Sequence, residues 1–192
     1  MNGYGFFALA FRQKYIARWS LMRNSQTESL SSHSMETAMI AHCLALINKE
    51  VFGGSADPDR TAVFALFHDC TEVLSGDMPS PIKYYSGEMR KTYAKIEKKA
   101  AEQLLSKLPP ELSGAYAPFI NEEADDLTLR LVKTADKLCA LIKCIEEENC
   151  GNNEFAAAKK ATEKALESYR SDELDYFMKN FIPAFSLPID EL

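Results

Sequence analysis

The chain has 192 residues, 46% of them hydrophobic and 26% charged, with a formal net charge of −6. That length suits a single globular domain, expected over residues 1–192, with enough apolar mass for a real core. The acidic balance excludes a sequence-independent grip on a nucleic acid polymer, which needs a basic surface to displace phosphate counterions, while a small anionic ligand in a locally charged cleft stays open.

Cys43, Cys70, Cys139, Cys144 and Cys150 are odd in number and form no C-x-x-C pair, so they read as reduced residues of a cytoplasmic protein. The apolar start, Met1 to Phe11, lacks a basic leader and meets Arg12 and Lys14 too soon for a signal peptide or a membrane span. It reads as a first packed helix over roughly residues 5–15, with Phe7, Ala10, Phe11 and Lys14 as its inner stripe. Arg18 and Trp19 follow at the start of a polar loop. Taken alone they are a solvated charge and a core aromatic; taken together they are what a nucleotide site uses for phosphate and sugar or base.

Ser31 or Ser32 is expected to cap a second helix, packed through Met35, Met39, Cys43, Leu46 and Ile47, with His33 in its first turn. His42, further along, reads as a packing histidine. Asp57 and Pro58 mark the start of a third helix, expected to run through the apolar stretch Ala62 to Phe67 into His68-Asp69-Cys70-Thr71-Glu72 and to stop near Gly76. On one helix Glu72 would lie four residues after His68 and three after Asp69, so the three groups would share a cleft. An imidazole and two carboxylates at the inner end of an apolar helix are costly to bury, and a metal ion is the usual compensation.

Pro79 and Pro81 make Asp77-Met78-Pro79-Ser80 an extended or turn segment. Ser86 or Gly87 opens a long charged helix with Tyr93, Ile96, Ala100 and Leu104 inside, and a short helix follows Pro109-Pro110 as far as Ile120. From Thr128 to about Cys150 the pattern is again helical, ending at Gly151. Asp136 interrupts its apolar face; it either needs a partner inside or pairs with Arg130, Lys133 or Lys137 outside. Asn153 is expected to cap an alanine-rich last helix, and the aromatic tail from Tyr176 to Phe185 is too apolar to be free. It is expected to pack on the core or on a second subunit. No stretch alternates with a strand period, so the fold class is all-α.

The order His33, His68-Asp69, Asp136 across an all-helical chain resembles the HD-domain phosphohydrolases. Ala17-Arg18-Trp19, Glu28 to Ser34, His68 to Ser80 and Lys133 to Leu138 together resemble the bacterial 5′-deoxynucleotidases of that superfamily, with Ser20 standing where a proline is expected. The resemblance implies an HD-domain helical bundle with one divalent metal ion between helices, held by His33, His68, Asp69 and Asp136. It implies Glu72 as the catalytic acid or base and Arg18 as the phosphate-orienting residue. Trp19, Asp77, Met78, Pro79 and Ser80 would frame the deoxyribose, with the metal ligands His33, Asp69 and Asp136 also facing substrate. The implied substrates are deoxyribonucleoside 5′-monophosphates and the implied state is a homodimer. Two imidazoles and two carboxylates form a mixed donor set suited to cobalt, manganese or a similar transition metal. The alternatives are an HD-type hydrolase of a triphosphate, cyclic or signalling nucleotide, and a non-catalytic helical interaction protein.

Overall fold

The structure is a computed structural model that describes residues 3–83 and 85–192, without the side chains of Ser80 and Pro81. Met1 and Asn2 of the apolar N-terminal stretch thus lie outside the described residues. The described backbone is helical throughout, with one isolated antiparallel bridge, Ala17 to Ser29, in place of a sheet.

The chain starts with α1 (Phe6–Ala10), which tightens into a 3-10 turn over Phe11–Tyr15. Its inner residues are Phe6 and Ala10; Phe7 and Phe11, expected inside, are exposed. After a loop comes α2 (Leu30–Leu46). Ser29, not Ser31 or Ser32, is its cap: Ser29 Oγ accepts from Ser32 N at 3.1 Å and Ser32 Oγ accepts from Ser29 N at 3.1 Å, a reciprocal capping box. The buried face of α2 is Leu30, His33, Ser34, Thr37, Ala41, Leu44 and Ala45, so Met35 and Met39 fall on the exposed face. Small and polar residues at this spacing let α2 lie close against its neighbours.

Helix α3 (Pro58–Phe67) is capped by Asp57, which accepts from Arg60 N at 3.0 Å. Here the structure departs from the expected continuous helix. Helix α3 ends at Phe67, residues 68–71 form turns, and α4 (Glu72–Ser75) restarts before Gly76, whose φ of 76° suits glycine. Helix α5 (Ser80–Lys83) then forms across the proline-containing segment that was expected to be irregular. Pro81 sits in its first turn, where no intrahelical N–H is needed. Helix α6 (Gly87–Leu105) buries Tyr93, Ala100, Ala101 and Leu104, with Ile96 exposed, and α7 (Pro110–Ile120) follows.

The longest helix, α8 (Asp126–Asn149), is capped by Asp125 from the acidic loop and ends before Gly151 at φ 78°. Asn152 rather than Asn153 caps the next turn, which leads into α9 (Ala156–Glu167). The aromatic tail forms α10 (Asp172–Asn180) and packs Leu174 and Phe177 on the chain's own core.

The larger core joins α2, α3 and α8 through Ala41, Leu44, Phe64, Ala65, Leu131 and Leu138. A second cluster gathers Phe6, Cys70, Ala101, Leu104 and Ile120. His68 and Asp69 sit where the chain passes from one cluster (Ala65) to the other (Cys70), which places them between the two packed units.

Away from this junction, Asn48 ties α10 to the loop after α2. Its Oδ1 accepts from Ala56 N at 3.1 Å and its Nδ2 donates to Glu173. A Cβ on Gly54 would lie 2.2 Å from Asn48 Oδ1, and the buried amide is held at both ends. Gly54→Ala is therefore expected to destabilise the fold by about 1–3 kcal/mol. A urea midpoint equal to that of the native chain would show that Asn48 can move aside.

Candidate metal centre and phosphate site

Two helices and one turn bring the candidate ligands together. His33 comes from the first turn of α2, His68 and Asp69 from the turn after α3, and Asp136 from mid-α8. Donor atoms of His33, His68 and Asp136 lie within 4.8 Å of one another. Asp69 Oδ2 joins them, 3.2 Å from His68 Nε2 and 3.7 Å from His33 Nε2, and Asp136 Oδ1 is 3.2 Å from His33 Nε2. Asp136 thus faces inward through Oδ1 while its Oδ2 accepts from Lys137 at 2.8 Å, so both pairings expected of it occur at once.

The backbone sets the tautomer of His68. Its Nδ1 is 2.6 Å from the Ala65 carbonyl, which only accepts, so the proton sits on Nδ1 and the Nε2 lone pair faces the cluster. That Nε2 is buried and makes no aligned hydrogen bond. A buried, unpartnered ring nitrogen among carboxylates fits a divalent cation, and two imidazoles with two carboxylates supply the donor set. The electrostatics agree. Burial works against a charge on His68, yet Asp69 beside it lifts the pKa to about 9. For Asp69, burial favours the neutral acid, but His68 holds the carboxyl down at about 2. The cluster demands positive charge at its centre.

Arg18 reaches the same point from the N-terminal loop, with Nη1 3.6 Å from Asp69 Oδ2. Burial opposes its charge, and Glu28, Asp136, Asp69 and Asp77 together overcome that and keep the guanidinium ionised. Trp19 is half-buried with its ring 5.3 Å from that of Phe155, and its φ of 55° lies in the left-handed region that a tryptophan seldom adopts.

Glu72 is not part of the converging donor set. It lies at the start of α4, 6% exposed, and its Oε2 has no hydrogen-bond partner. Burial first, and then Asp69 and Asp77, push its carboxyl up to about 9. Asp77, Met78 and Pro79 are half-buried on the irregular segment after Gly76. Burial raises the Asp77 carboxyl while Arg18 pulls it the other way. The Ser80 side chain lies outside the described ones. A cleft of about 810 Å³ opens on His68, Asp69 and Asp136 and is walled by Lys83, Tyr93 and Tyr169.

His42 is not at the site and is not a packing residue; it lies partly exposed, 3.6 Å from the exposed Asp59. Sequence reasoning passed over Glu28, which touches Arg18, Trp19 and His33 at once. It also passed over Glu147, whose carboxylate accepts from Ser25 N, Asn152 Nδ2 and Lys143 Nζ and so anchors the loop carrying Arg18 and Trp19 to α8. A signal for Glu28 lay in its position one residue before the Ser29 cap, which fixes it against His33 in the first helical turn.

A family model described as 5′-deoxynucleotidase YfbR-like matches residues 5–185. The chain belongs to that family. Among YfbR-like relatives, the 5′-deoxynucleotidase of Erwinia tasmaniensis is 50% identical over 188 residues, covering 97% of this chain and 95% of the relative. The 5′-deoxynucleotidase YfbR of Escherichia coli O127:H6 is 49% identical over 188 residues, 97% of this chain and 94% of its own. Solved structures show the HD fold shared more widely. An HD-domain phosphohydrolase of Listeria innocua superposes with a TM-score of 0.83 at 24% identity, over 94% of this chain and 87% of the other. A cyanophage S-2L HD phosphohydrolase, bound to dA and one catalytic Zn²⁺ ion, gives 0.65 at 18% identity, over 92% of this chain and 95% of the other. The all-α HD bundle and the family expected from the sequence are both borne out.

Proposed function

We infer that this YfbR-like chain is a metal-dependent 5′-deoxynucleotidase that hydrolyses deoxyribonucleoside 5′-monophosphates to deoxynucleoside and phosphate. The observation that carries this reading is the convergence of His33, His68, Asp69 and Asp136 on one point with Arg18 3.6 Å from Asp69. The family and its named relatives support it. His33, His68, Asp69 and Asp136 would hold one divalent ion, for which we propose cobalt or manganese. When bound, such an ion supplies Lewis acidity toward a phosphoryl oxygen and lowers the pKa of water.

The chain's own residues do the rest. Arg18 donates to the phosphate and offsets charge as it builds on the phosphoryl oxygens. Water forms the new P–O bond while the bond to the 5′ oxygen breaks, and Glu72 would deliver a proton to that leaving oxygen or order the water. Trp19, with Asp77, Met78, Pro79 and Ser80, frames the sugar. Its indole N–H is already given to Glu28 Oε2 at 2.8 Å, so the ring offers a 2′-hydroxyl only carbon. Leaving that hydroxyl unpaired costs roughly 2 kcal/mol, or about thirtyfold.

A triphosphate substrate would call for further cations near the phosphates. Lys83 on the cleft wall is committed to Glu97 at 2.9 Å, while Lys133 and Lys137 line the same cleft, so the monophosphate reading rests on the family and its named relatives. The described helices include none long and apolar enough to cross a membrane. All five cysteines are unpaired, in keeping with a cytoplasmic setting, and the exposed Met35 and Met39 on α2 are in keeping with a homodimer.

Phosphate release from dAMP and AMP by the metal-loaded protein tests the reading. The deoxynucleotide is expected to react faster by about thirtyfold or more. Equal release from both, or none from either, would overturn it.

A further inference from the structure

Glu28 meets three side chains that belong to three different tasks, accepting from two of them and lying beside the third, His33, whose buried Nδ1 makes no aligned hydrogen bond. Its Oε1 accepts from Arg18 Nε at 3.1 Å and lies 3.3 Å from His33 Nδ1, while Oε2 accepts from Trp19 Nε1 at 2.8 Å. The side chain is only 10% exposed. We propose that Glu28 is a positioning residue that fixes the metal ligand His33, the phosphate-binding Arg18 and the sugar-facing Trp19 through one carboxylate, so that ion binding and selection against ribonucleotides are coupled. The proposal takes the roles of those three residues from the reading above, but the coupling between them rests on contacts alone.

Backbone pairing sets the geometry. Arg18 N donates to Glu28 O at 3.0 Å and Leu30 N to Ile16 O at 2.9 Å, so residues 16–18 run antiparallel to 28–30 and Glu28 cannot drift from Arg18. With Nδ1 of His33 turned to Glu28, its Nε2 is turned to Asp136 at 3.2 Å and Asp69 at 3.7 Å. The 3.3 Å approach is not an aligned hydrogen bond as it stands; closing it on ion binding is how a carboxylate behind a ligating histidine fixes the ring's orientation and tautomer. Trp19 is held in its strained backbone region by the Glu28 contact, by Asn24 Nδ2 donating to its carbonyl at 3.2 Å, and by the Phe155 ring. Only a carboxylate accepts on all sides here. A glutamine would present an NH₂ group either to the Trp19 donor or to the Arg18 donor.

Trp19 is the chain's single tryptophan, so its emission reports this contact directly. Glu28→Gln is expected to shift that emission and to weaken Mn²⁺ binding, measured by isothermal titration, by about 10- to 100-fold. It is also expected to compress the dAMP to AMP preference, raising KM more than it lowers kcat. Trp19→Phe removes one donor from Glu28 and no proposed ligand, and is expected to weaken Mn²⁺ binding several-fold. A folded Glu28→Gln protein that binds Mn²⁺ within twofold of the native chain would overturn the proposal. If that variant does not fold, the Trp19→Phe titration decides, and unchanged Mn²⁺ affinity there overturns it equally. A native protein inactive on both nucleotides would instead sink the proposed function, leaving the titration and emission results to judge Glu28.

Discussion

Glu72→Gln is expected to lower kcat on dAMP by about 10²–10⁴-fold, the range for losing a positioned acid or base, while bound metal stays at the native level. The expectation comes from where Glu72 sits. It is a full helical restart away from the turn that carries His68 and Asp69, its Oε2 has no partner, and it stands outside the group of converging donor atoms. Its buried surroundings favour the protonated carboxyl, the form that can serve a departing 5′ oxygen. A p-nitrophenyl phosphate ester, whose leaving group needs no proton, separates the two tasks open to it. If Glu72 protonates the leaving oxygen, the variant loses far less on the nitrophenyl ester than on dAMP; if it orders the water, the losses match. Metal analysis of the purified variant checks the starting point, because a Glu72→Gln protein stripped of its ion would make Glu72 a ligand.

Three of the four candidate ligands stood out in the sequence because each breaks a local rule, whereas His33 suits a cap or a surface as well and entered only through the family resemblance. His68 and Asp69 end an apolar helix, and Asp136 interrupts an apolar face, so each asks for a partner that the chain must supply from elsewhere. Most helix limits were also legible, since Asp57-Pro58, Ser86 and Gly151 act through local backbone chemistry. The break after Phe67 was not, because His68-Asp69-Cys70-Thr71, though a run of weak helix formers, holds no Gly or Pro to mark a stop; Cys70 packs into the second cluster there. Which face of α2 lies inside was misjudged for a related reason. Methionines at helical spacing look like a core stripe, but close approach of α2 to its neighbours favours Ser34, Thr37 and Ala41 inside and leaves Met35 and Met39 out. Glu28 and Glu147 were unreadable because a carboxylate in a polar stretch normally points to water, and only the fold shows the backbone donors and cations that receive them.

Glu147→Ala is expected to cost about 3–5 kcal/mol, the usual result of removing one member of a buried ion pair. Its carboxylate is 2% exposed and its partner Lys143 7%, so the ammonium would be left in the core without its counter-charge. The same carboxylate accepts from Ser25 N at 2.8 Å and Asn152 Nδ2 at 2.7 Å, and Lys143 Nζ donates to Gln26 O at 2.6 Å. The loss should therefore loosen the segment that carries Arg18 and Trp19 before it unfolds the rest, and thermal unfolding is expected roughly 10 °C lower. The pH dependence identifies the cause. Burial alone would raise the Glu147 carboxyl, but Lys143 and then the Ser25 and Asn152 donors outweigh it and hold it down at about 2. A depressed acid gives stability that is fully present above its unfolded value and is lost as pH falls toward the folded one. The gap in urea midpoint between native and Glu147→Ala proteins should thus be widest above about pH 5 and narrow steadily toward pH 3, whatever other carboxylates titrate in both. A gap that stays constant over that window would mean the charge on Glu147 is not what holds the loop.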